Sequence, residues 1–141
     1  MAAPIVEVAK YLQTLGVGSF DETGVGGDIF IESLPAAPDE AIALYSTAGL
    51  QADGRNPYDY PGLQLIVRGT QNPMPARQRA QEIYDLLHGF HGKSFITDGT
   101  WVVNCLGTQS GPVHIGQDAN RRHEYSLNFQ MHILNDNAGR R

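Results

Sequence analysis

The residues with reactive side chains in this sequence do not stand in a spacing typical of a catalytic or metal site. His88 and His91 are three residues apart, but an exposed pair near a helix C-terminus explains them as well as metal ligation does. Ser110 lies three residues after Gly107, so this segment is not a Gly-x-Ser-x-Gly nucleophile elbow. We therefore predict no catalytic, cofactor-binding or metal-binding residues.

A glycine-rich segment, residues 23–28 (TGVGGD), has the composition of a phosphate-binding loop but lacks its Gly-Lys-Ser/Thr sequence. Asp21, Glu22 and Asp28 surround it without the alternate-position ligands of a calcium loop. Cys105 lies in an apolar run, which favours a buried, inert thiol over a nucleophile. The simpler interpretation of this part of the chain is therefore a loop without bound ions.

Length and composition predict one ordered domain over residues 1–141 with a short polar tail at 135–141. The chain has 41% hydrophobic and 18% charged residues and a net charge of −5, so it is a poor candidate for a dedicated nucleic-acid binder. The N-terminus lacks the basic leader of a signal peptide, and no apolar stretch has the roughly 18 residues of a membrane span. We expect a globular protein without a membrane anchor.

The pattern of apolar residues predicts an α+β fold, in which a mostly antiparallel β-sheet carries two α-helices on one face. The clearest helix begins at Asn72, a natural N-cap followed by Pro73 and Pro75. The expected elements are a helix at 4–15, strands at 29–34, 41–47 and 62–70, a helix from 72 to about 90, a hairpin at 93–108 and a second hairpin at 112–134.

The last strand of the second hairpin alternates most clearly between apolar and polar residues. Its apolar side chains are expected to face the core, while the other face is either wet or meets a partner. The expected core residues are Tyr125, Leu127, Phe129, Met131 and Ile133.

Between the second and third strands lies a polar segment that the sequence predicts to be a loop. Pro57 and Pro61 restrict the residues before them to extended conformations, so this loop is partly preordered. Its residue types suit an active-site lid, a ligand clamp or an arm that reaches a neighbouring subunit. The sequence pattern alone leaves these alternatives open.

Three segments in order, residues 39–69, 79–89 and 111–133, resemble the minor capsid proteins of tailed bacteriophages, in the tail-terminator or tail-completion group. The resemblance implies a small tail-terminator-like α+β subunit that forms a ring, commonly a hexamer, and has no catalytic residues or cofactor. It also implies that the ring caps the tail-tube protein, stops its polymerisation and joins the head connector.

Further expectations follow from the resemblance. The protein would be assembled in the host cytoplasm, belong to the virion at the head–tail junction, and let DNA pass its lumen without specific binding. One alternative is a head-completion or neck protein on the capsid side of the junction. An alternative of another class is a small ligand-binding or hydrolase domain, which a defined apolar pocket with converging polar groups would favour.

Two segments are candidate subunit or partner interfaces, because Tyr and Arg are enriched among the residues that dominate binding and because a closed ring needs two different contact patches. The first comprises Asp53, Arg55, Tyr58, Asp59 and Tyr60. The second, at the turn of the last hairpin, comprises Gln117, Asp118, Arg121 and Arg122, whose arginines are expected to pair with acidic groups on a partner.

Overall fold

The computed structural model describes residues 3–140 and contains two α-helices and seven strands in the order that the sequence predicts. The α+β fold is confirmed. The elements are α1 (Pro4–Thr14), β1 (Ile29–Ile31), β2 (Ala41–Leu50), β3 (Tyr58–Arg68), α2 (Pro73–Leu87), β4 (Lys93–Ser94), β5 (Trp101–Gly107), β6 (Val113–Gln117), β7 (His123–Leu134) and a 3-10 turn (Ala138–Arg140).

Both helices begin where the sequence predicts. Pro4 occupies the first turn of α1, and the side chain of Asn72 accepts a hydrogen bond from the backbone N–H of Met74 at the start of α2. Helix α2 ends at Leu87, earlier than expected, so Phe90 lies beyond the helix although it is buried as predicted.

The sheet is ordered β1-β2-β3-β7-β5-β4, and all of its pairs are antiparallel except β1 with β2. Strand β7 is its centre. One edge of β7 pairs with β3, and the other edge pairs first with β6 and then, further along, with β5. The predicted hairpin of β6 and β7 is therefore present.

The hydrophobic core lies between the two helices and one face of the sheet. Leu12 of α1 and Ile83 of α2 are fully buried against it, as is Leu65 of β3. All five apolar positions predicted for β7 are buried in this core. On the other face of β7, Ser126 is buried and accepts a hydrogen bond from the side chain of Gln64. This face is therefore less exposed to solvent than its polar sequence suggests.

Two buried charged side chains form hydrogen bonds with loop residues. The carboxylate of Glu7 in α1 accepts hydrogen bonds of 2.6 Å from both the backbone N–H and the hydroxyl of Thr100. Arg68 at the end of β3 donates to the backbone carbonyls of Pro35, Pro38 and Asp39. Both contacts satisfy groups that would be costly to bury alone.

Three predicted boundaries were wrong. The first strand ends at Ile31 rather than at 34, because Glu32 adopts a positive φ of 57° and turns the chain. Asp98 and Gly99 do not form a two-residue turn, since β4 ends at Ser94 and β5 begins only at Trp101.

The third boundary concerns the segment expected to be a long loop. Strand β2 continues to Leu50 and β3 already begins at Tyr58, so only residues 51–57 are outside strands. Tyr58, Asp59 and Tyr60 are therefore strand residues and not loop residues. Their extended backbone agrees with the restriction that Pro61 imposes on the residue before it.

Candidate interaction surfaces

The β2–β3 hairpin extends past the end of the neighbouring strand, and we call its residues 46–61 the arm. Strand β1 pairs only with residues 42–44 of β2, so beyond this point β2 has β3 on one side and no strand on the other. Residues 46–52 are all exposed. In the arm, β3 also pairs with β7, so the unpaired edge is that of β2. This exposed edge is the part of the arm that suits contact with another molecule.

The arm contains a register shift between Thr47 and Leu50. Gly49 lies within it at a φ of 66°, and a Cβ at this position would come within 2.0 Å of the Tyr60 carbonyl oxygen. Only glycine fits this conformation and this approach. Leu50 follows directly and is 63% exposed.

Arg55 lies at the turn of the arm. Its side chain is exposed and takes part in none of the ion pairs that the structure contains among residues 3–140. Together, Leu50 and Arg55 present one apolar group and one free positive charge. The sequence identified Arg55 but not Leu50, because a single leucine at a strand end carries no signal of its own.

The two tyrosines of the arm pack on β7. The ring of His132 lies 4.9 Å from that of Tyr58 and 4.7 Å from that of Tyr60, measured between centroids. The Tyr60 hydroxyl donates to the carboxylate of Asp53 at 3.2 Å. Within the described part of the chain, the buried His132 Nε2 has no hydrogen-bond partner.

The chain beyond β7 folds back and holds the turn end of the arm. Arg140 forms an ion pair with Asp59 and donates to the backbone carbonyls of Asp53 and Tyr58. Asn135 donates to the same Asp59 carboxylate at 2.8 Å. The hydrogen bond from Arg140 is the main cause that lowers the pKa of Asp59. Residues 135–140, expected as a polar tail, thus stabilise the arm.

The turn between β6 and β7 is the second candidate surface. The carboxylate of Asp118 accepts from the backbone N–H groups of Asn120 and Arg122, as expected of a turn residue. Hydrogen bonds from the backbone and the guanidinium of Arg122 lower the pKa of Asp118. Gln117 donates to the backbone carbonyl of Arg121.

The two arginines of this turn have different environments. Arg122 is buried, and its guanidinium pairs with Asp118 at 2.8 Å and Asp39 at 3.1 Å and donates to the carbonyl of Ala36. Arg121 is exposed and has a φ of 62°. The guanidinium of Arg122 is therefore used within the chain, whereas Arg121 is exposed at the surface.

A third surface, which the sequence did not indicate, is an apolar groove beside the edge strand β1. Its volume is about 400 Å³. Its lining, which defines what we call the groove, includes the apolar side chains Val6, Phe20, Ile29, Phe30 and Ile31, the carboxylates Asp21 and Glu22, and Ser33. No sequence pattern predicts it, because its lining comes from a helix, a loop and a strand.

Hydrogen bonds hold the loop that forms one wall of the groove. Asp28 accepts from the backbone N–H of Ser19 and pairs with Arg79 of α2, each at 2.7 Å. The side chain of Gln13 accepts from the backbone N–H of Phe20 at 2.7 Å. The groove is therefore already formed in the single chain, which reduces the entropic cost of filling it.

The carboxylates near the groove have partners within the chain. Glu22 pairs with Lys10 at 2.7 Å, and Asp21 accepts from the backbone N–H groups of Thr23 and Gly26. The hydrogen bond from Thr23 is the main cause that lowers the pKa of Asp21, which keeps it charged. Among residues 3–140, no three His, Cys, Asp or Glu side chains are grouped as metal ligands.

Cys105 is fully buried in β5, as predicted. Burial raises the pKa of its thiol to about 12. At neutral pH the thiol is therefore protonated and shielded, which makes it a poor nucleophile.

A family model described as bacteriophage tail terminator protein matches residues 11–135, which include the end of α1, all of α2, all seven strands and both candidate interfaces. A comparison with curated proteins gave no match. Within the described residues, neither helix has the length and apolar character that a membrane span requires.

Proposed function

This chain belongs to the bacteriophage tail terminator family, a family of structural tail proteins, and on this basis we propose that it forms a ring at the head-proximal end of the tail tube. The ring is a hexamer of this chain. It binds the last ring of tail-tube protein, stops further polymerisation and offers its other face to the head connector. No catalytic reaction is part of this role.

The arm is the observation that supports this proposal most directly. A closed ring requires head-to-tail contacts, in which one patch of a subunit meets a different patch of the next. The arm extends past β1, is exposed along 46–52, and is held at its turn by Arg140. Such a preorganised element can reach another subunit at a low cost in conformational entropy.

The candidate interface residues have separate roles within this proposal. Arg55 and the exposed strand residues of the arm contact the next subunit or the tube, while Asp53, Tyr58, Asp59 and Tyr60 hold the arm in shape. In the β6–β7 turn, Gln117, Asp118 and Arg122 fix the turn so that Arg121 is presented to a partner.

The charge of the chain suits the passage of DNA. A net charge of −5 for each subunit opposes tight binding of phosphates, and a conduit must not grip the polymer that moves through it. We therefore expect the ring to let DNA pass without specific contacts.

The test is polymerisation of the tail-tube protein of the same phage, with and without this chain. We expect tubes of limited length that carry one ring of this chain at one end, visible by electron microscopy, and tubes of unlimited length in its absence. In purified virions, the same ring should lie between the uppermost tube ring and the connector.

A matched control separates specific capping from nonspecific inhibition. Gln78→Ala changes an exposed residue of α2, away from the arm and the groove, and should cap tubes like the wild type. The proposal is wrong if the chain is absent from virions, lies repeatedly along the tube, or leaves tube growth unchanged.

A further inference from the structure

The groove beside β1 lacks an apolar occupant within the described chain. It opens at an edge strand of three residues, and its apolar lining side chains come from α1, the loop before β1 and β1 itself. Its volume of about 400 Å³ lies in the range of about 300–1,000 Å³ that is typical of pockets that bind a ligand. A preformed apolar groove of this size is suited to receive a side chain from another molecule.

The charges around the groove identify the kind of occupant. Asp21 and Glu22 both contribute to its lining, and among the ion pairs of residues 3–140 only Glu22 of the two has a cation partner, Lys10. The groove thus has one uncompensated negative charge beside its apolar surface. An occupant with an apolar side chain and a nearby positive charge would match it.

The arm of this same chain has these two features. Leu50 is 63% exposed, and Arg55, which lies across the turn of the arm, has no ion pair within residues 3–140. The turn also carries Asp53, which accepts a hydrogen bond from Tyr60, so the arm has no net positive charge. What complements the groove is the exposed Leu50, toward its apolar lining, and the Arg55 guanidinium, toward Asp21. The two surfaces differ, as a head-to-tail contact requires.

We propose that the groove is the receptor for the arm of a second copy of this chain. Leu50 of one subunit fills the apolar part of the groove of the next, and Arg55 lies beside Asp21 and Glu22. This inference rests on the proposed ring and specifies which two surfaces close it.

Cross-linking on capped tubes tests the contact. The variant with Gln51→Cys and Ser33→Cys keeps Leu50 and places one thiol beside it on the exposed arm and one in the groove, while the buried Cys105 stays unreactive. With a short, flexible bis-maleimide, we expect a ladder of covalent species up to the hexamer. The control pairs Gln51→Cys with Gln78→Cys on the exposed face of α2 and should remain monomeric.

The ladder also distinguishes two geometries. A head-to-tail contact gives trimers and larger species, whereas reciprocal exchange between two copies would stop at the dimer and contradict the inference. If the double variant caps tubes but gives no cross-link, the inference is wrong and the ring proposal stands. If no ring forms on tubes or virions, the ring proposal fails and this inference fails with it.

The charge contribution has its own readout. Arg55→Glu places a negative charge beside Asp21 and Glu22, and we expect the cross-linking rate to fall about tenfold, equal to about 1.4 kcal/mol. Arg77→Glu, an exposed charge reversal on α2, should leave the rate unchanged. If the double-cysteine variant cross-links at the same rate with Arg55 and with Arg55→Glu, Arg55 does not pair with Asp21 and Glu22.

Discussion

At the scale of single residues, the contacts that shape the candidate interfaces are polar and reach far along the sequence. Arg140 bonds to Asp59 and to the backbone of residues 53 and 58, and Arg122 bonds to Asp39. Each guanidinium is largely buried and satisfied by carboxylate or carbonyl oxygens. The arm and the β6–β7 turn therefore have defined shapes before any partner binds.

The Asp59–Arg140 pair predicts a pH dependence of stability. Arg140 lowers the folded-state pKa of Asp59 below the value of about 3.9 in the unfolded chain. The stabilisation is therefore present above about pH 4 and lost as the pH falls through the lowered pKa. The difference in free energy of unfolding between the wild type and Asp59→Asn should be largest near pH 7 and shrink toward pH 2, as measured by urea denaturation.

The control is Glu82→Gln, on the exposed face of α2, where no ion pair is lost. A difference between the wild type and Asp59→Asn that is the same at pH 7 and pH 2 would show that the ion pair does not stabilise the fold.

Sequence reasoning identified residues whose role is local and missed those whose role depends on distant partners. The Asn72 cap and the buried Cys105 were predicted, because a cap needs only its own helix and a buried thiol only its apolar run. The hydrogen bonds of Arg122 within the chain were not predicted, because its partners Asp39 and Ala36 are more than eighty positions away in the sequence.

At the scale of elements, the arm depends on the glycine at its register shift. Gly49→Ala places a Cβ within 2.0 Å of the Tyr60 carbonyl oxygen at a positive φ. We expect a loss of about 2 kcal/mol or more in the free energy of unfolding, together with weaker capping of tubes. Circular dichroism during thermal unfolding measures the first effect, and the tube-length assay measures the second.

Gly54 is the matched control, because it lies in the same arm and a Cβ there meets no atom within 4 Å. Gly54→Ala should be stable and should cap tubes normally. Equal behaviour of the two variants would mean that the register shift does not depend on Gly49.

The elements themselves were largely predictable, and their ends were not. The sequence predicted every helix and strand in order, since apolar periodicity reports which residues face the core. It placed the end of β2 too early because Gly49 and the polar residues after it are typical of loops. Residues 48–50 nevertheless extend β2, because this strand pairs with β3 as far as Leu50. Pairing partners do not appear in a local pattern.

At the scale of the whole molecule, the net negative charge of the chain predicts weak binding to DNA. With a net charge of −5, binding to linear double-stranded DNA in 0.15 M salt should be weaker than a Kd of about 10⁻⁴ M, the weak end of nonspecific binding. An electrophoretic mobility shift assay of the isolated chain checks this. A Kd below about 10⁻⁶ M would contradict a lumen that does not grip DNA.

The groove is a feature of the whole molecule that the sequence did not predict. Its apolar lining residues, taken from positions 6, 20 and 29–31, each have the ordinary character of a helix, loop or strand residue. Only the packing of α1 beside β1 brings them to one surface. The fold class follows from the pattern of elements, whereas the surface depends on how the elements meet.

The position of β7 has a consequence for synthesis. It is the central strand, pairing with β3, β5 and β6, yet it is the last strand of the described chain. When the ribosome has made the first six strands, β1, β2 and β3 can pair with one another. Strands β5 and β6 still lack β7, the strand that joins them to β3. The complete sheet can form only after residue 134 has left the exit tunnel, and its many distant contacts favour a slow folding step.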